Sequence, residues 1–216
     1  MSARVAVLAS GGGTNLQAIL DHFSALGSRA CGRVVLVMTD RAQAGALGRA
    51  SVAGIAARHI AASALETDLA PALAAAQIDI VALAGFMRLV PAHVTRRYRG
   101  RIVNIHPALL PAFGGAGMYG LRVHQAVLDA GARVTGVSVH FVDEQFDRGA
   151  IITQWPVPVR TDDTADTLAA RVLRTEHAVY PPVVDALCAG TIRLGDDNRI
   201  VGRDEPAPDA QFRLTT

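Results

Sequence analysis

The chain has 216 residues, half of them hydrophobic, and a formal net charge of +2 from 21 basic and 19 acidic side chains. This composition suits one globular domain, does not indicate wholesale disorder, and lacks the basic excess that is typical of nucleic-acid binding. All 21 basic residues are arginines, so mechanisms that need a lysine nucleophile or Schiff base are excluded.

Neither the cysteines nor the N-terminus indicates an exported or membrane-bound protein. Cys31 and Cys188 lie far apart in the sequence and fit neither a metal-binding motif nor a disulfide framework. The first ten residues lack the features of a signal peptide, and nowhere do about 18 uncharged apolar residues follow one another. We therefore expect a soluble cytoplasmic protein that does not bind a membrane.

Short β-branched runs alternate with Ala- and Leu-rich stretches in the first half of the chain. Nearly continuous apolar runs predict strands buried on both faces, over residues 4–9, 33–38, 78–84 and 101–105. Helix formers with helical apolar spacing predict helices over residues 15–26, 42–53 and 65–76. This alternation implies parallel strands joined by right-handed crossovers, as in a doubly wound α/β sheet.

The second half begins with a different pattern. Residues 134–142 alternate in the manner of a strand with two distinct faces, and a second strand is predicted over residues 150–159. Such a pair fits an antiparallel addition to the sheet. The predicted fold is therefore α/β, with a doubly wound, mostly parallel sheet and an antiparallel C-terminal addition.

A long helix is predicted over residues 163–187, with one interruption at the prolines at 181 and 182. Three residues are candidates to cap its N-terminus: Asp162, Asp163 and Thr164. A short polar tail over residues 190–216 follows and is expected to fray at its end. We expect a single domain over residues 1–216, with its core at about 4–187.

A glycine-rich turn, SGGGTNL at residues 10–16, joins the first predicted strand to the first helix. Glycines let the backbone approach a ligand closely, and free N–H groups at a helix start attract anions. Thr14 and Asn15 add a hydroxyl and an amide that can donate to phosphate oxygens. The turn favours an anion site, and a tight connection capped by Thr14 or Asn15 is the simpler alternative.

Leu16 indicates which kind of anion the turn binds. The dinucleotide-binding pattern needs a third glycine at this position, and a branched side chain there would obstruct close packing against a pyrophosphate. The turn also lacks the lysine of a P-loop, so a phosphomonoester fits better. Asp40, after the second strand, is compatible with ribose binding and keeps a nicotinamide-dependent oxidoreductase as an alternative, although we favour a solvated loop residue there.

Asn104 and His106 lie at the carboxyl end of a predicted strand, where open α/β sheets bind ligands. They are two residues apart in an extended run, so their side chains point to the same face. Pro107 restricts His106 to an extended backbone. An amide and an imidazole placed side by side indicate a site that stabilises an oxyanion during acyl transfer.

A carboxylate that orients or charges the imidazole is expected nearby in space. The candidates are Asp143, Glu144 and Asp147, all in the loop after the 134–142 strand. His140, within that strand, is a second imidazole that can face the same cleft. Composition and spacing do not choose among the three carboxylates.

Four motifs in series resemble the phosphoribosylglycinamide formyltransferase family: SGGGTNLQAI, ALAGFMRLV, IVNIHPALLPAF and GVSVHFVDEQFDRGAII. The resemblance covers about residues 4–187. It implies the formyltransferase fold and transfer of the formyl group of 10-formyltetrahydrofolate, as co-substrate, to the amine of glycinamide ribonucleotide in purine biosynthesis.

The resemblance also assigns roles to individual positions. The implied catalytic set is Asn104, His106 and Asp147. The implied ligands of the ribonucleotide are Gly13, Thr14, Asn15 and Glu176. The implied ligands of the folate are Met87, Arg88, Leu89, Val90, Asn104, Asp143 and Glu144.

In the chemistry that the resemblance implies, Asn104 and a protonated His106 stabilise the negative charge that develops on the formyl oxygen. Asp147 is expected to help His106 keep its proton near neutral pH and to position a water that carries a proton to the leaving nitrogen. No metal is implied. The expected partners are the two small-molecule substrates, without nucleic acid, and the expected assembly is a monomer or a homodimer.

The chain departs from the family pattern at three places. Residues 112–120 (AFGGAGMYG) replace a shorter turn, which leaves the shape of the substrate-side loop open. Arg148 stands where a small residue is common, and we expect it to be solvated. An arginine that some members place near residues 65–68 for the folate is missing.

Three other functions remain as alternatives. One is a non-catalytic phosphosugar-binding protein, which is disfavoured because Asn104, His106 and Asp147 are all present. A formyltetrahydrofolate hydrolase would share the Asn-x-His pair and the distal Asp, with water in place of the amine as the formyl acceptor. A nicotinamide-dependent oxidoreductase is more remote and is disfavoured by Leu16.

Overall fold

The computed structural model describes residues 2–202, which form a seven-stranded sheet flanked by helices and a small two-stranded sheet. The strands are β1 (Ala3–Leu8), β2 (Gly32–Thr39), β3 (Ala56–His59), β4 (Ile80–Leu83), β5 (Ile102–His106), β6 (Val134–Phe141), β7 (Ile151–Pro158), β8 (Ile192–Leu194) and β9 (Ile200–Gly202). The α-helices are α1 (Thr14–Leu26), α2 (Gly45–Val52), α3 (Leu65–Ala75), α4 (Ala92–Arg97), α5 (Leu121–Asp129) and α6 (Ala165–Cys188).

The large sheet has the strand order β3-β2-β1-β4-β5-β6-β7. The first five strands in this order pair in parallel, and β6 then pairs antiparallel with both β5 and β7. The predicted doubly wound sheet with an antiparallel C-terminal addition is therefore confirmed. The chain changes winding direction between β1 and β4, so a crevice forms beyond the carboxyl ends of these strands.

Two hydrophobic cores cover the two faces of the sheet. Alternate residues of β1 divide between them: Val5 and Val7 face α1 and α6, whereas Ala6 and Leu8 face α3 and α4. A strand that is buried on both faces has no polar side, which explains its nearly continuous apolar sequence.

The sequence patterns did not predict several short elements. All four residues of β3 are exposed, so this edge strand has no apolar run to reveal it. α4 is only six residues long, and α5 buries a narrow face over nine residues. In the predicted polar tail, β8 and β9 form a hairpin. The part of the tail that was expected to fray lies beyond residue 202 and outside the described residues.

The predicted interruption of the last helix is wrong, because α6 continues through both prolines to Cys188. Each proline lacks an N–H donor, which normally breaks a helix. Here Tyr180, Pro181 and Val184 are buried, and this packing offsets the lost hydrogen bonds. Of the three capping candidates, Thr164 caps the helix by accepting a hydrogen bond from the N–H of Thr167.

The two cysteines are free thiols. Burial, as the largest effect, raises the pKa of Cys188 to about 12. Within residues 2–202, none of the helices is both long enough and apolar enough to cross a membrane.

Candidate active site

The antiparallel join between β5 and β6 brings the predicted amide next to an imidazole. Asn104 in β5 lies directly opposite His140 in β6, and its Nδ2 is 3.1 Å from Nε2 of that ring. His106 is the last residue of β5. Because Val103 and Ile105 face one core, Asn104 and His106 point to the opposite face, as the strand spacing predicts.

Asp147 completes this cluster from the loop after β6. Its backbone φ of +55° is the left-handed conformation, which is uncommon for an aspartate. Its carboxylate oxygens lie 3.5 Å from Nδ1 of His106, 3.5 Å from Nε2 of His140 and 3.4 Å from Nδ2 of Asn104. Of the three carboxylates left open by the sequence, Asp147 is the one that reaches the imidazoles.

His106 has an acceptor facing each ring nitrogen. Its Nε2 lies 2.9 Å from the carbonyl oxygen of Phe113, so this nitrogen carries a proton, and Nδ1 faces Asp147. Burial lowers the pKa of His106 and is the largest effect, although the Asp147 carboxylate and the Phe113 carbonyl act in the opposite direction. Asp147 therefore acts in the expected direction, in favour of the charged ring, but desolvation outweighs it.

The Asp147 carboxylate is stabilised in its ionised form. Burial favours its neutral form, but its pKa is lowered by a hydrogen bond with His140, the charge of His106 and the Gly115 N–H, which donates to Oδ2 at 2.9 Å. The Nδ1 of His140 lies 2.7 Å from the carbonyl oxygen of Phe141, which fixes the ring orientation. The site thus holds one anion beside two imidazoles and an amide.

The loop over residues 112–120 is part of this site rather than a peripheral departure from the family pattern. The carbonyl of Phe113 orients His106, and the N–H of Gly115 orients Asp147. A Cβ at Gly114 would lie 2.4 Å from Leu110 and 3.2 Å from Asp147, so the loop packs tightly against these two side chains. Backbone groups carry these contacts, which is why no residue type signalled them.

The cluster lies on the wall of a cavity of about 410 Å3. Its mostly apolar lining brings together many predicted ligand residues: Met87, Arg88, Leu89, Val90, Asn104, His106, Asp147 and Glu176. Tyr180 is one turn after Glu176 and fully buried, and its hydroxyl lies 2.9 Å from the Leu83 carbonyl and 3.0 Å from the Val103 carbonyl. This contact fixes α6 against β4 and β5, and Glu176 lines the cavity.

The glycine-rich turn begins α1 next to Glu176 but does not itself line this cavity. Gly13 is the N-cap with a φ of +72°, and no side chain caps the helix, so the first-turn N–H groups stay available to an anion. The alternative of a cap by Thr14 or Asn15 is therefore wrong. Asn15 instead donates from Nδ2 to Glu176 at 2.5 Å, and burial raises the pKa of that glutamate despite this bond.

A family model described as formyl transferase matches residues 3–184 of the chain. The chain belongs to the formyl transferase family. Among curated relatives, phosphoribosylglycinamide formyltransferase of Escherichia coli is 38% identical, and the match covers 89% of this chain and 91% of that protein. The chloroplastic phosphoribosylglycinamide formyltransferase of Vigna unguiculata is 40% identical over 97% of this chain.

The chain spans only part of the first relatives that it matches, 66% of the Vigna protein and 20% of the trifunctional purine biosynthetic protein adenosine-3 of Bos taurus. Among solved structures, glycinamide ribonucleotide transformylase 1 of Symbiobacterium toebii is 41% identical with a TM-score of 0.85, covering 94% of this chain and 95% of that one. A formyltetrahydrofolate deformylase of Pseudomonas syringae has a TM-score of 0.83 at 22% identity, over 94% of this chain and 67% of that one, and so shares the fold.

Some positions to which the formyl transferase resemblance assigns ligands do not line the cavity. Asp143 accepts a hydrogen bond from the N–H of Gln145, and Glu144 pairs with Arg96 of α4 at 2.7 Å. Both carboxylates line a separate cleft, together with Arg148, which is exposed as expected. The loop that carries Asp147 into the cluster therefore turns the carboxylates of Asp143 and Glu144 away from the cavity.

Asp40 is not a solvated loop residue, contrary to the favoured interpretation of the sequence. Its side chain is fully buried, and its Oδ2 accepts a hydrogen bond from Nε of Arg88 at 2.8 Å. It is therefore unavailable to a ribose. Leu16 is fully buried in the core, where the dinucleotide pattern needs a glycine. Both positions disfavour a nicotinamide-dependent enzyme.

Sequence reasoning missed His124, which lines the cavity from α5. This histidine is buried, and its Nδ1 has no hydrogen-bond partner in the part of the chain that the structure describes. Burial is the largest effect that lowers its pKa, and the nearby His106 acts in the same direction. Val123 and Val127, buried on the same helix face, were the available signal for this helix.

Proposed function

We propose that the chain transfers the formyl group of 10-formyltetrahydrofolate to the primary amine of glycinamide ribonucleotide, a one-carbon step of purine biosynthesis. The observation that carries this proposal is the cluster of Asn104, His106 and Asp147 on the wall of a cavity, beside an uncapped helix N-terminus. Membership of the formyl transferase family supports the proposal. So does the match to phosphoribosylglycinamide formyltransferase of Escherichia coli, which covers 91% of that protein.

The reaction needs donors for a developing oxyanion. The amine attacks the formyl carbon, a C–N bond forms, and the carbonyl electron pair moves onto the formyl oxygen before the bond to the folate nitrogen breaks. Asn104 and His106 are the donors that we assign to this oxygen. The Nδ2 of Asn104 lies 3.4 Å from Asp147, a long contact that a formyl oxygen can readily replace.

His106 changes its charge during the reaction that we propose. Burial lowers its pKa in the free protein, so the imidazole is mostly neutral there at neutral pH. Negative charge on a nearby formyl oxygen raises that pKa again. The ring then takes up a proton from solvent water at Nδ1, and it becomes a charged donor as the oxyanion forms. The ring is already oriented by Phe113, so no reorganisation is required.

Asp147 positions the water that carries the proton in this scheme. It is ionised because its pKa is lowered, and it lies at the edge of the cavity. A water held by this carboxylate can take the proton from the attacking amine and return one to the leaving nitrogen. None of these steps uses a metal.

We assign the phosphate of the ribonucleotide to the N–H groups of Gly13, Thr14 and Asn15 at the start of α1. The free first turn of the helix supports this placement. Glu176 is held by Asn15 and faces the cavity, where it can bind the glycinamide group. The hydrogen bond between Asn15 and Glu176 thus links the two parts of the ribonucleotide site.

We assign the folate to the apolar part of the cavity, along residues 87–90 and Asn104. Polar backbone groups of this segment provide orientation, and the apolar lining accepts the rings. Asp143 and Glu144 can reach the pterin only if their loop moves, because Glu144 is paired with Arg96 outside the cavity.

A two-substrate assay tests the proposal. Purified protein with 10-formyltetrahydrofolate and glycinamide ribonucleotide should release tetrahydrofolate, and release should stop when the ribonucleotide is omitted. An equal rate without the ribonucleotide would assign the chain to the hydrolases instead. The His106→Ala variant should lose turnover by about a hundredfold or more, the usual scale for acid–base and oxyanion groups.

We further propose that residues 1–216 form a single domain. One sheet carries both hydrophobic cores, which supports this organisation. Small, charged substrates of nucleotide and folate metabolism favour a cytoplasmic location. We expect a monomer or a homodimer, and light scattering of the purified chain would distinguish them.

A further inference from the structure

Asp40 lies at the point where three loops of the sheet edge meet. It directly follows β2 at Thr39, and the sheet order places β1 between β2 and β4. Its side chain is fully buried, while that of its partner Arg88 is half exposed. The 2.8 Å ion pair therefore joins the loop after β2 to the segment after β4.

Ser10, directly after β1, makes the second connection to this segment. Its hydroxyl oxygen accepts the backbone N–H of Met87 at 2.9 Å, and its own N–H donates to the Gly85 carbonyl at 3.0 Å. Burial raises the pKa of Asp40, but the neighbouring Ser10 hydroxyl and the Arg88 guanidinium more than reverse this and keep the carboxylate ionised. Ser10 and Asp40 thus act on the same segment from two neighbouring loops.

The segment over residues 86–90 depends on these contacts for its shape. It forms neither helix nor strand, and Arg88 and Leu89 are exposed. Phe86 and Val90 pack against the core that faces α3, which holds the two ends but not the middle. Three contacts hold the middle. The Met87 N–H donates to Ser10, and the Arg88 guanidinium donates to Asp40. Arg41 also contacts the sulfur of Met87 at 3.4 Å.

We propose that Asp40 and Ser10 are positioning residues for the formyl donor: they fix residues 86–90 in the conformation that forms the folate side of the cavity. This inference rests on the proposed function for the identity of the donor. The two residues lie behind the segment rather than in the cavity lining, so they act through Met87 and Arg88. Their loss affects donor binding more than the chemistry at Asn104 and His106.

The Asp40→Asn and Ser10→Ala variants test this inference. Asp40→Asn keeps the shape of the side chain and removes its charge. Ser10→Ala removes one hydroxyl group, a smaller change, and it serves as the test if Asp40→Asn does not fold. Each variant should raise the KM for 10-formyltetrahydrofolate by about tenfold. The KM for glycinamide ribonucleotide and kcat should stay within about twofold of the wild-type values.

Asp163→Asn is the matched control, because it also breaks a buried Asp–Arg ion pair, at the start of α6 and away from the cavity lining. It should lower thermal stability without changing the KM for the donor. A Ser10→Ala variant with a wild-type donor KM, or an equal rise in both KM values, would overturn the inference.

Calorimetric binding of tetrahydrofolate to each variant separates this inference from the proposed function. If the wild-type chain binds tetrahydrofolate but transfers no formyl group, the proposed function fails, and weaker binding by Asp40→Asn and Ser10→Ala still supports the positioning role. If both variants bind tetrahydrofolate as tightly as the wild type does, the positioning role is wrong whatever the activity.

Discussion

At the scale of single residues, the central feature is an imidazole whose surroundings act on its charge in opposite directions. His106 is only 3% exposed, which favours the neutral ring, while Asp147 and the Phe113 carbonyl favour the charged ring. The balance lies on the side of the neutral ring. A site of this kind stabilises a charge that exists only during the reaction more than one that is present beforehand.

We predict that His106 in the free protein titrates below the ordinary imidazole pKa of about 6.5, because burial is the largest effect on it. Asp147→Asn should lower this pKa further, since it removes the carboxylate that favours the charged ring. The measurement is an NMR titration of the imidazole resonances. Asp143→Asn, in the same loop but turned away from the cluster, should leave the titration unchanged.

An unchanged pKa of His106 in the Asp147→Asn variant would show that the carboxylate does not act on this ring. The lowered pKa of His106 also makes the stability of the protein depend on pH. The free energy of unfolding falls as the pH drops below the pKa that this histidine has in the unfolded chain, because the unfolded chain then takes up the proton more easily than the folded one.

At the scale of elements, the packing of α2 against the glycine-rich turn holds the start of α1 in place. The N–H of Ala46 donates to the Gly11 carbonyl at 3.2 Å, and Arg49 donates to the Gly12 carbonyl at 2.8 Å. A Cβ at Gly13 would lie 2.8 Å from the Cα of Ala46. The glycine is needed here both for its left-handed φ and for the close approach of α2.

Gly13→Ala should therefore displace α2 or the turn and weaken ribonucleotide binding. We expect a KM for glycinamide ribonucleotide at least several-fold higher and a stability loss of about 1–3 kcal/mol, the usual cost of a strained backbone conformation. Gly48→Ala is the control, because its Cβ would meet no atom within 4 Å. A Gly13→Ala variant with wild-type KM and stability would refute this role of the turn.

At the scale of the whole molecule, an ion pair fastens the last helix to the edge of the sheet. Arg171 in α6 binds both oxygens of Asp163, at 2.6 and 2.7 Å, and also donates to the carbonyl of Pro158 at 2.9 Å. The hydrogen bond with Arg171 is the largest of the effects that hold the pKa of Asp163 well below its usual range. The contact stabilises α6, which carries Glu176 to the cavity.

This ion pair predicts part of the acid sensitivity of the fold. A carboxylate with a lowered folded-state pKa contributes stability above its unfolded pKa of about 3.9, and this contribution is lost as the pH falls towards the folded value. Asp163→Asn should lose about 1–3 kcal/mol at pH 7, where this buried bidentate pair is intact. Urea unfolding at pH 7 and pH 3 measures both quantities.

The difference between Asp163→Asn and the wild type should be smaller at pH 3 than at pH 7. Asp197→Asn, which breaks an exposed pair with Arg199, is the control and should change stability little at either pH. An equal loss at both pH values would show that Asp163 contributes through packing or capping rather than through its charge.

The sequence by itself determined the elements whose signal is local. Strands β1, β2, β4 and β5 are continuous apolar runs because both of their faces are buried, and the long helices carry helical spacing. The glycine-rich turn and the Asn104-x-His106 pair were also visible, since their geometry depends only on neighbouring residues. These features placed the candidate site at the carboxyl edge of the sheet.

The tertiary structure alone decided which distant groups meet at that edge. It brought Asp147 to the imidazoles and turned Asp143 and Glu144 away, and it buried Asp40 against Arg88. The contacts from the 112–120 loop are made by backbone groups, which every residue has. The tertiary structure also decided the pKa shifts of the site. They depend on burial, and the burial of a side chain depends on atoms from the whole chain, which no local sequence pattern encodes.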